Sequence, residues 1–104
     1  MRELRFKVSG QNIIKDSNCD FTGIIAGTSN YLYTSFAFDS EWSGAVKVAV
    51  FKRLNDEYPV MIEGDKCIIP KEALTWRSFK VRVVGQIEKT RITTNFVTVE
   101  QEVE

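Results

Sequence analysis

The sequence predicts a single all-β domain, built as an antiparallel sandwich of about seven or eight strands. Apolar and polar residues alternate with a period of two over most of the chain, which is typical of half-buried strands. Turn-forming residues interrupt this pattern about every eight to twelve residues, and no β-α-β rhythm is present. The 104 residues are 43 % hydrophobic and 27 % charged, which suits one folded domain with one core.

Turn residues divide the chain into strand candidates. The candidates cover residues 3–8, 21–26, 32–38, 46–51, 58–63, 67–69, 79–84 and 92–99, and residues 13–14 form a short apolar step between the first two. Gly64-Asp65 is predicted to form a tight hairpin turn, and Gly85 is predicted to end a strand. Pro70 and the helix formers after it predict one short helical turn near residues 70–75. This turn is too short to be stable by itself, so we expect it to cap one end of the sandwich.

The alternation changes phase within the last strand candidate. Ile92 and Val97 have opposite parity, so one regular strand cannot direct both side chains to the core. A β-bulge inserts one extra residue and restores the register. We therefore predict a bulge at Thr93-Thr94-Asn95.

Charge and hydropathy argue against two classes of partner. The chain has 14 basic and 14 acidic residues, and the basic ones are interleaved with polar and apolar positions. Nucleic-acid binding needs a concentrated positive field, which this pattern does not provide. No apolar run approaches the roughly 20 residues of a membrane span, and the alternating start differs from a signal peptide. We expect neither a nucleic-acid nor a membrane partner.

The residue types that catalysis needs are scarce. The chain has no histidine, which removes the commonest general base, the Ser-His and Cys-His pairs and imidazole metal sites. Its six glycines stand singly at turns and form no phosphate loop. The chain has two widely separated cysteines, Cys19 and Cys67, which we expect to be reduced thiols, and a disulfide between them is the alternative. We predict no catalytic residue, no metal site, no cofactor and no enzymatic activity.

Carboxylate pairs are the remaining catalytic candidates, because two acids suffice for glycoside hydrolysis. The pairs are Asp39 with Glu41, Asp56 with Glu57, and Glu63 with Asp65. Each pair falls in a predicted turn, where acidic side chains are solvated, whereas a catalytic acid needs a pKa raised by burial. A Ca²⁺ site from Asp39, Glu41 and Asp65 is conceivable, but no EF-hand ligand ladder is present.

Aromatic residues give two hypotheses for binding. Trp42 and Trp76 lie in or beside loops, where an exposed indole could stack on a sugar; burial at a sheet end is the favoured alternative. On the strands, Leu32, Phe36, Phe38, Val46, Val48 and Val50 are predicted to point inward. Tyr31, Tyr33, Ala37, Ala49 and Phe51 then point outward together. An outer face this apolar predicts contact with another chain; the alternatives are a different register or a loop that covers the face.

Several motifs in the middle and end of the chain are distinctive. They are FAFDSEWSG at 36–44, KVAVF at 47–51, GDKCIIPKEAL at 64–74, FKVRVVG at 79–85 and ITTN at 92–95. Together they span roughly residues 30–99 and resemble a domain of tail and other structural proteins of phages and prophages of Gram-positive bacteria. In that family the Glu-Trp-x-Gly, Cys-x-Ile-Pro and Thr-Thr-Asn steps are fold signatures and not catalytic motifs.

The resemblance implies an Ig-like, fibronectin III-like sandwich that acts by protein contact or by adhesion to a host surface. Its expected location is a virion or the bacterial cytoplasm. Its expected partners are other virion proteins or further copies of itself. The alternatives are a carbohydrate-binding module that recognises cell-surface glycans through Trp42 and Trp76, and a small regulator that docks on a host protein.

Overall fold

The computed structural model describes residues 1–103, which form two packed β-sheets. The strands are β1 Arg2–Ser9, β2 Asn12–Lys15, β3 Leu32–Phe38, β4 Val46–Arg53, β5 Asp56–Met61, β6 Lys66–Ile68, β7 Ser78–Ile87, β8 Thr90–Thr93 and β9 Val97–Glu100. Two short 3₁₀ turns lie at Ser40–Trp42 and Lys71–Leu74. The predicted all-β sandwich is confirmed, and so is the helical turn after Pro70.

The two sheets differ in how their strands run. The first has the order β2-β1-β3-β6, and the second has the order β5-β4-β7-β8, with β9 also paired to β7. All pairs are antiparallel except β1 with β3, which run parallel. Parallel neighbours need a long crossover connection, and the segment over residues 16–31 provides it. The sandwich is therefore antiparallel as predicted, apart from this one pair.

The core forms from the alternate residues of each sheet's central strands. Leu4, Phe6 and Val8 of β1 face Val81 and Val83 of β7 across a single buried cluster. A row of aromatic rings crosses this cluster, with successive centroids 5.3–5.7 Å apart. The row consists of Phe21, Phe6, Phe36, Phe38 and Trp42. Aromatic pairs at these distances stabilise the fold by more than the burial of their apolar area alone.

Trp42 closes one end of the sandwich. The Asp39 carboxylate accepts hydrogen bonds from the backbone N–H of Glu41 (3.0 Å) and of Gly10 (2.8 Å), which fixes the 3₁₀ turn against the β1–β2 hairpin. The Trp42 side chain is fully buried, and its indole N–H donates to the Gly10 carbonyl at 2.9 Å. The structural alternative for Trp42, burial at a sheet end, is confirmed.

Gly85 does not end its strand, and this prediction is wrong. β7 continues through Gly85 to Ile87. A Cβ atom at Gly85 would lie 2.6 Å from Cζ3 of Trp42, so the missing side chain leaves room for the indole. Here glycine marks a close approach of a side chain to a strand and not a turn.

The predicted bulge is confirmed at residues 94–96. Val84 pairs with Thr93 and Val81 pairs with Val97, so two residues of β7 oppose three residues of the returning chain. This interruption separates β8 from β9 and raises the strand number to nine. Asn95 then joins the two sheets, because its side-chain amide accepts from the Ile13 N–H (2.9 Å) and donates to the Ile13 carbonyl (3.3 Å).

The predicted strand over residues 21–26 is wrong. This segment forms only one isolated bridge, between Ile25 and Glu102. The Arg2 guanidinium donates to the carbonyls of Asp20, Thr22 and Gly23 and so binds the loop along its length. The apolar pattern there reflects the burial of single side chains, as with Phe21 against Phe6 (5.4 Å between centroids), and not a strand face.

Candidate interaction site

The interaction face predicted from Tyr31, Tyr33 and Phe51 does not exist as one surface. Phe51 is fully buried and packs on Phe79, with 6.2 Å between ring centroids, so the prediction is wrong for this residue. Tyr31 is 50 % exposed, and Tyr33 is partly exposed on the outer face of β3.

The register of β4 is the reverse of the one predicted. Both faces of this strand are apolar, and Phe51 and Ala49 occupy the core face. Burying an aromatic ring removes more apolar area from water than burying a valine does, so this register is favoured. Val46 is 58 % exposed as a result, and Val48 lies opposite Met61 on the outer face.

The two tryptophans predicted as glycan-stacking residues are in different environments. Trp42 has no exposed surface, so its assignment to sugar stacking is wrong. Trp76 is 44 % exposed in the loop before β7. The pair does not form a common stacking surface, and Trp76 alone is available to a ligand.

A different apolar surface lies between the outer edges of the two sheets. We call it the edge groove: its lining comprises Met1, Tyr33, Val60, Met61, Cys67 and Ile68, together with Glu63 and Lys66. Its volume is about 650 Å³. Met1, Met61 and Ile68 are 69 %, 53 % and 45 % exposed. An exposed group of large apolar side chains at one place on a surface is typical of a protein contact site.

The strands that border the groove are the last strands of their sheets. Ile62 donates its N–H to the Lys47 carbonyl (3.0 Å), and bonded and non-bonded pairs alternate along an antiparallel ladder. Glu57, Pro59 and Met61 therefore direct their backbone groups away from β4. Pro59 has no N–H and interrupts this row of donors, which is a common protection of an edge strand.

The other border strand, β6, has only three residues. Lys66 exchanges both backbone hydrogen bonds with Glu63 (3.0 and 3.1 Å), which removes them from the open edge. Both edges are thus protected against adding a long strand. A partner in the edge groove would be held mainly by side-chain contacts.

The groove carries one acidic and one basic side chain. Glu63 and Lys66 flank the turn at Gly64 and Asp65, whose φ values of 58° and 59° confirm the predicted tight hairpin turn. The Lys66 ammonium lies 5.9 Å from the centroid of the Tyr33 ring. Within residues 1–103, neither Glu63 nor Lys66 forms an ion pair. Both charges are therefore available to a partner.

One carboxylate of each pair considered for catalysis makes a structural contact. Asp39 fixes the Trp42 turn, Glu57 pairs with Arg82 at 3.3 Å, and Asp65 pairs with Lys47 at 3.7 Å. In the part of the chain that the structure describes, no group of three acidic or cysteine side chains is placed to hold a metal ion. Over the same residues, no helix has the length and hydropathy needed to cross a membrane.

The two cysteines are free and occupy different environments. Cys67 is buried on the core face of β6, and burial raises the pKa of its thiol against the opposing effect of the hydrogen bond with Thr34 (3.1 Å). Cys19 is partly exposed, and its Sγ accepts from the Arg5 N–H at 3.3 Å. The Cys19 sulfur therefore serves as the hydrogen-bond acceptor for a backbone N–H of β1 that lies beyond the end of β2.

Thiol labelling should distinguish these two environments. At neutral pH we expect a water-soluble disulfide reagent to modify Cys19 and not Cys67 in the folded chain. The thiolate is the reacting form, and Cys67 is buried, which raises the pKa of its thiol. In denaturant both thiols should react. Equal rates for both in the folded state would contradict the burial of Cys67, and fewer than two thiols after unfolding would reveal a disulfide.

Sequence reasoning missed the main residues of the edge groove. Met1, Met61 and Ile68 come from three separate parts of the chain, and only the sheet topology brings them together. A signal was available at Met61: Tyr58 and Val60 are the inward residues of β5, which leaves Pro59 and Met61 on its outer face. An apolar pair on the outer face of a strand that contains proline points to an edge strand with a contact surface.

Comparisons of the chain with protein families, with curated proteins and with solved structures found no match. The similarity to phage and prophage structural domains therefore remains a prediction from the sequence motifs.

Proposed function

We propose that this chain is a non-enzymatic structural domain of a phage or prophage particle, a tail or other virion component, that associates with a second copy of itself through the edge groove. The observation that carries the proposed self-association is the group of exposed apolar side chains at that groove, Met1, Met61 and Ile68. Burying such a group between two copies removes apolar surface from water.

Charge favours a second copy as the occupant. In a two-fold interface each residue contacts a residue of the partner, and the reverse contact also forms. The groove carries one anion and one cation that form no ion pair within residues 1–103, Glu63 and Lys66. A two-fold axis can therefore place the Glu63 of each copy near the Lys66 of the other. The net charge of zero adds no overall repulsion between copies.

The assignment to a phage particle rests on the sequence motifs. The signature residues have structural contacts that agree with a role in the fold: Trp42 closes one end and Asn95 joins the sheets. Of the acidic residues considered for catalysis, Asp39 caps the Trp42 turn, and Glu57 and Asp65 form ion pairs. These contacts support a domain that acts by binding.

A pair of matched variants tests the groove. Ile68 and Ile14 lie on the outer faces of the two edge strands of the first sheet and are 45 % and 48 % exposed. We expect Ile68→Glu to raise the dimer dissociation constant at least about tenfold, because it places an unpaired charge in a buried contact. Ile14→Glu, outside the groove, should leave the constant unchanged. Equal effects of the two variants would exclude the edge groove as the interface.

The particle assignment needs a separate experiment. Particles purified from an induced culture of the source strain are expected to contain peptides of this chain when analysed by mass spectrometry. If the chain is abundant in the lysate and absent from intact particles, the proposed location is wrong. The self-association could still be correct in that case, because the two experiments measure independent properties.

A further inference from the structure

A second recess lies on the outer face of the second sheet, at the end that carries the β4–β5 turn. We call it the Trp76 pocket: it is lined by Lys52, Leu54, Trp76, Ser78, Phe79 and Lys80 and has a volume of about 210 Å³. Sites for drug-sized ligands have volumes of about 300–1,000 Å³. The Trp76 pocket is smaller and suits one small unit of a ligand.

The position of Trp76 is fixed by contacts outside the pocket. The Gln101 side chain donates to the Trp76 carbonyl at 2.9 Å, and the Arg77 guanidinium lies 5.8 Å from the indole centroid. The ring is nevertheless 44 % exposed, and Leu54 beside it is 59 % exposed. Together they present an apolar aromatic wall and an apolar aliphatic wall to the same small recess.

The charged residues of the pocket are two lysines. Lys52 and Lys80 lie directly opposite each other in the β4–β7 register, an arrangement of like charges that destabilises a sheet. Within residues 1–103 neither lysine forms an ion pair. The Lys52 ammonium lies 5.5 Å from the centroid of the Phe96 ring, and this cation–π contact does not neutralise its positive charge.

Two acidic residues lie nearby in the register, and within residues 1–103 neither forms an ion pair with Lys52 or Lys80. Glu57 lies opposite Lys52 on β5, but its carboxylate is paired with Arg82 at 3.3 Å. Glu100 lies opposite Ser78 on β9 and is exposed. Two lysines without an ion-pair partner in residues 1–103 line the same recess as the exposed indole, which favours a ligand that combines an anionic group with an apolar face.

We propose that the Trp76 pocket binds a saccharide unit that carries a carboxylate or a phosphate group. The C–H face of the sugar ring packs against the indole and Leu54. Lys52 and Lys80 form charge-assisted hydrogen bonds to the anion, and the Ser78 hydroxyl is available to a sugar hydroxyl. This site is separate from the edge groove and does not depend on self-association.

Calorimetric titration with four probes tests the ligand class. The probes are a galacturonate trisaccharide, glucose 6-phosphate, neutral maltotriose and inorganic phosphate. We expect at least one anionic saccharide to bind about tenfold or more tightly than both maltotriose and inorganic phosphate, and to bind more weakly as salt is raised. A smaller preference over maltotriose, equal binding of inorganic phosphate, or no binding of any probe at about 10 mM would each overturn the proposal.

Matched variants locate the site. Trp76→Ala and Lys80→Gln should each raise the dissociation constant of the best probe by about tenfold. Tyr31→Ala, which removes a similarly exposed aromatic ring elsewhere, and Lys89→Gln, which changes an exposed lysine of the β7–β8 turn, should not change it. If the control variants weaken binding as much as the pocket variants do, binding occurs outside the pocket.

Stability measurements separate lost binding from lost folding. Because Lys80→Gln removes one of two opposed like charges, the thermal midpoint of the ligand-free chain should stay the same or rise. Binding sites often lower the stability of a fold, so a substitution that weakens binding can raise the thermal midpoint. A lower midpoint combined with weaker binding would indicate that Lys80 supports the fold, and would contradict its role as a binding residue.

Discussion

Replacing Trp42 with alanine is expected to lower the free energy of unfolding by about 3–5 kcal/mol, the range for large aromatic residues in a core. The side chain has no exposed surface, ends the row of aromatic rings beside Phe38, and donates to the Gly10 carbonyl at 2.9 Å. Truncation leaves a cavity and a carbonyl without its partner. Urea unfolding followed by far-ultraviolet circular dichroism measures the change.

The second tryptophan is the matched control for this prediction. Trp76 is 44 % exposed, and Trp76→Ala should change the unfolding free energy by no more than about 1 kcal/mol. If Trp42→Ala does not fold at all, Trp42→Phe retains most of the apolar volume and should give a measurable intermediate loss. A Trp42→Ala variant as stable as Trp76→Ala would contradict the role of Trp42 as the end of the core.

Replacing Gly85 with alanine is expected to destabilise the chain by about 1–3 kcal/mol, the usual cost of overpacking. Intrinsic preference predicts the opposite sign, because alanine is favoured over glycine in a strand by roughly 0.5–1 kcal/mol. The new Cβ would lie 2.6 and 2.8 Å from two carbon atoms of the Trp42 ring. The ring is held by its own hydrogen bond to Gly10, so steric conflict outweighs backbone preference.

A double-mutant cycle checks the cause of this effect. In a Trp42→Leu background the conflict is removed, and Gly85→Ala should become neutral or mildly stabilising. The two substitutions should therefore be non-additive by about 1 kcal/mol or more, as expected for residues in contact. Additive effects would show that the cost of alanine at position 85 has a different origin.

The fold could be predicted where one face of a strand is polar. The alternation in β1 and β7 identified Leu4, Phe6, Val81 and Val83 as core residues, and the phase change located the bulge around Asn95. In these segments only one register buries the apolar side chains. The period of two was therefore sufficient to predict both the strands and their inward faces.

Prediction failed where both faces are apolar or where the partner is distant in sequence. The alternating pattern of β4 does not show whether Val48 or Phe51 faces the core, because both faces are apolar and the choice depends on what packs against each of them. In the sequence, Gly85 is typical of a strand end, and the close approach of the Trp42 ring that requires a glycine there is visible only in the structure. The segment over residues 21–26 has a strand-like composition, but Arg2 holds it as a loop.

The two binding surfaces were beyond sequence reasoning for a similar reason. The edge groove depends on two sheet edges that only the strand order brings together. The Trp76 pocket depends on the register that places Lys52 opposite Lys80. Exposure of Trp76 and burial of Trp42 also could not be distinguished, since both tryptophans lie beside turns.

The molar mass of the wild-type chain in solution tests the proposed self-association most directly. Size-exclusion chromatography with light scattering, over a wide range of concentrations, should show a transition from the 11.9 kDa chain to a species of twice that mass. The mass should then remain at the dimer value, because a two-fold interface is closed. A mass of one chain at every concentration would contradict association through the edge groove.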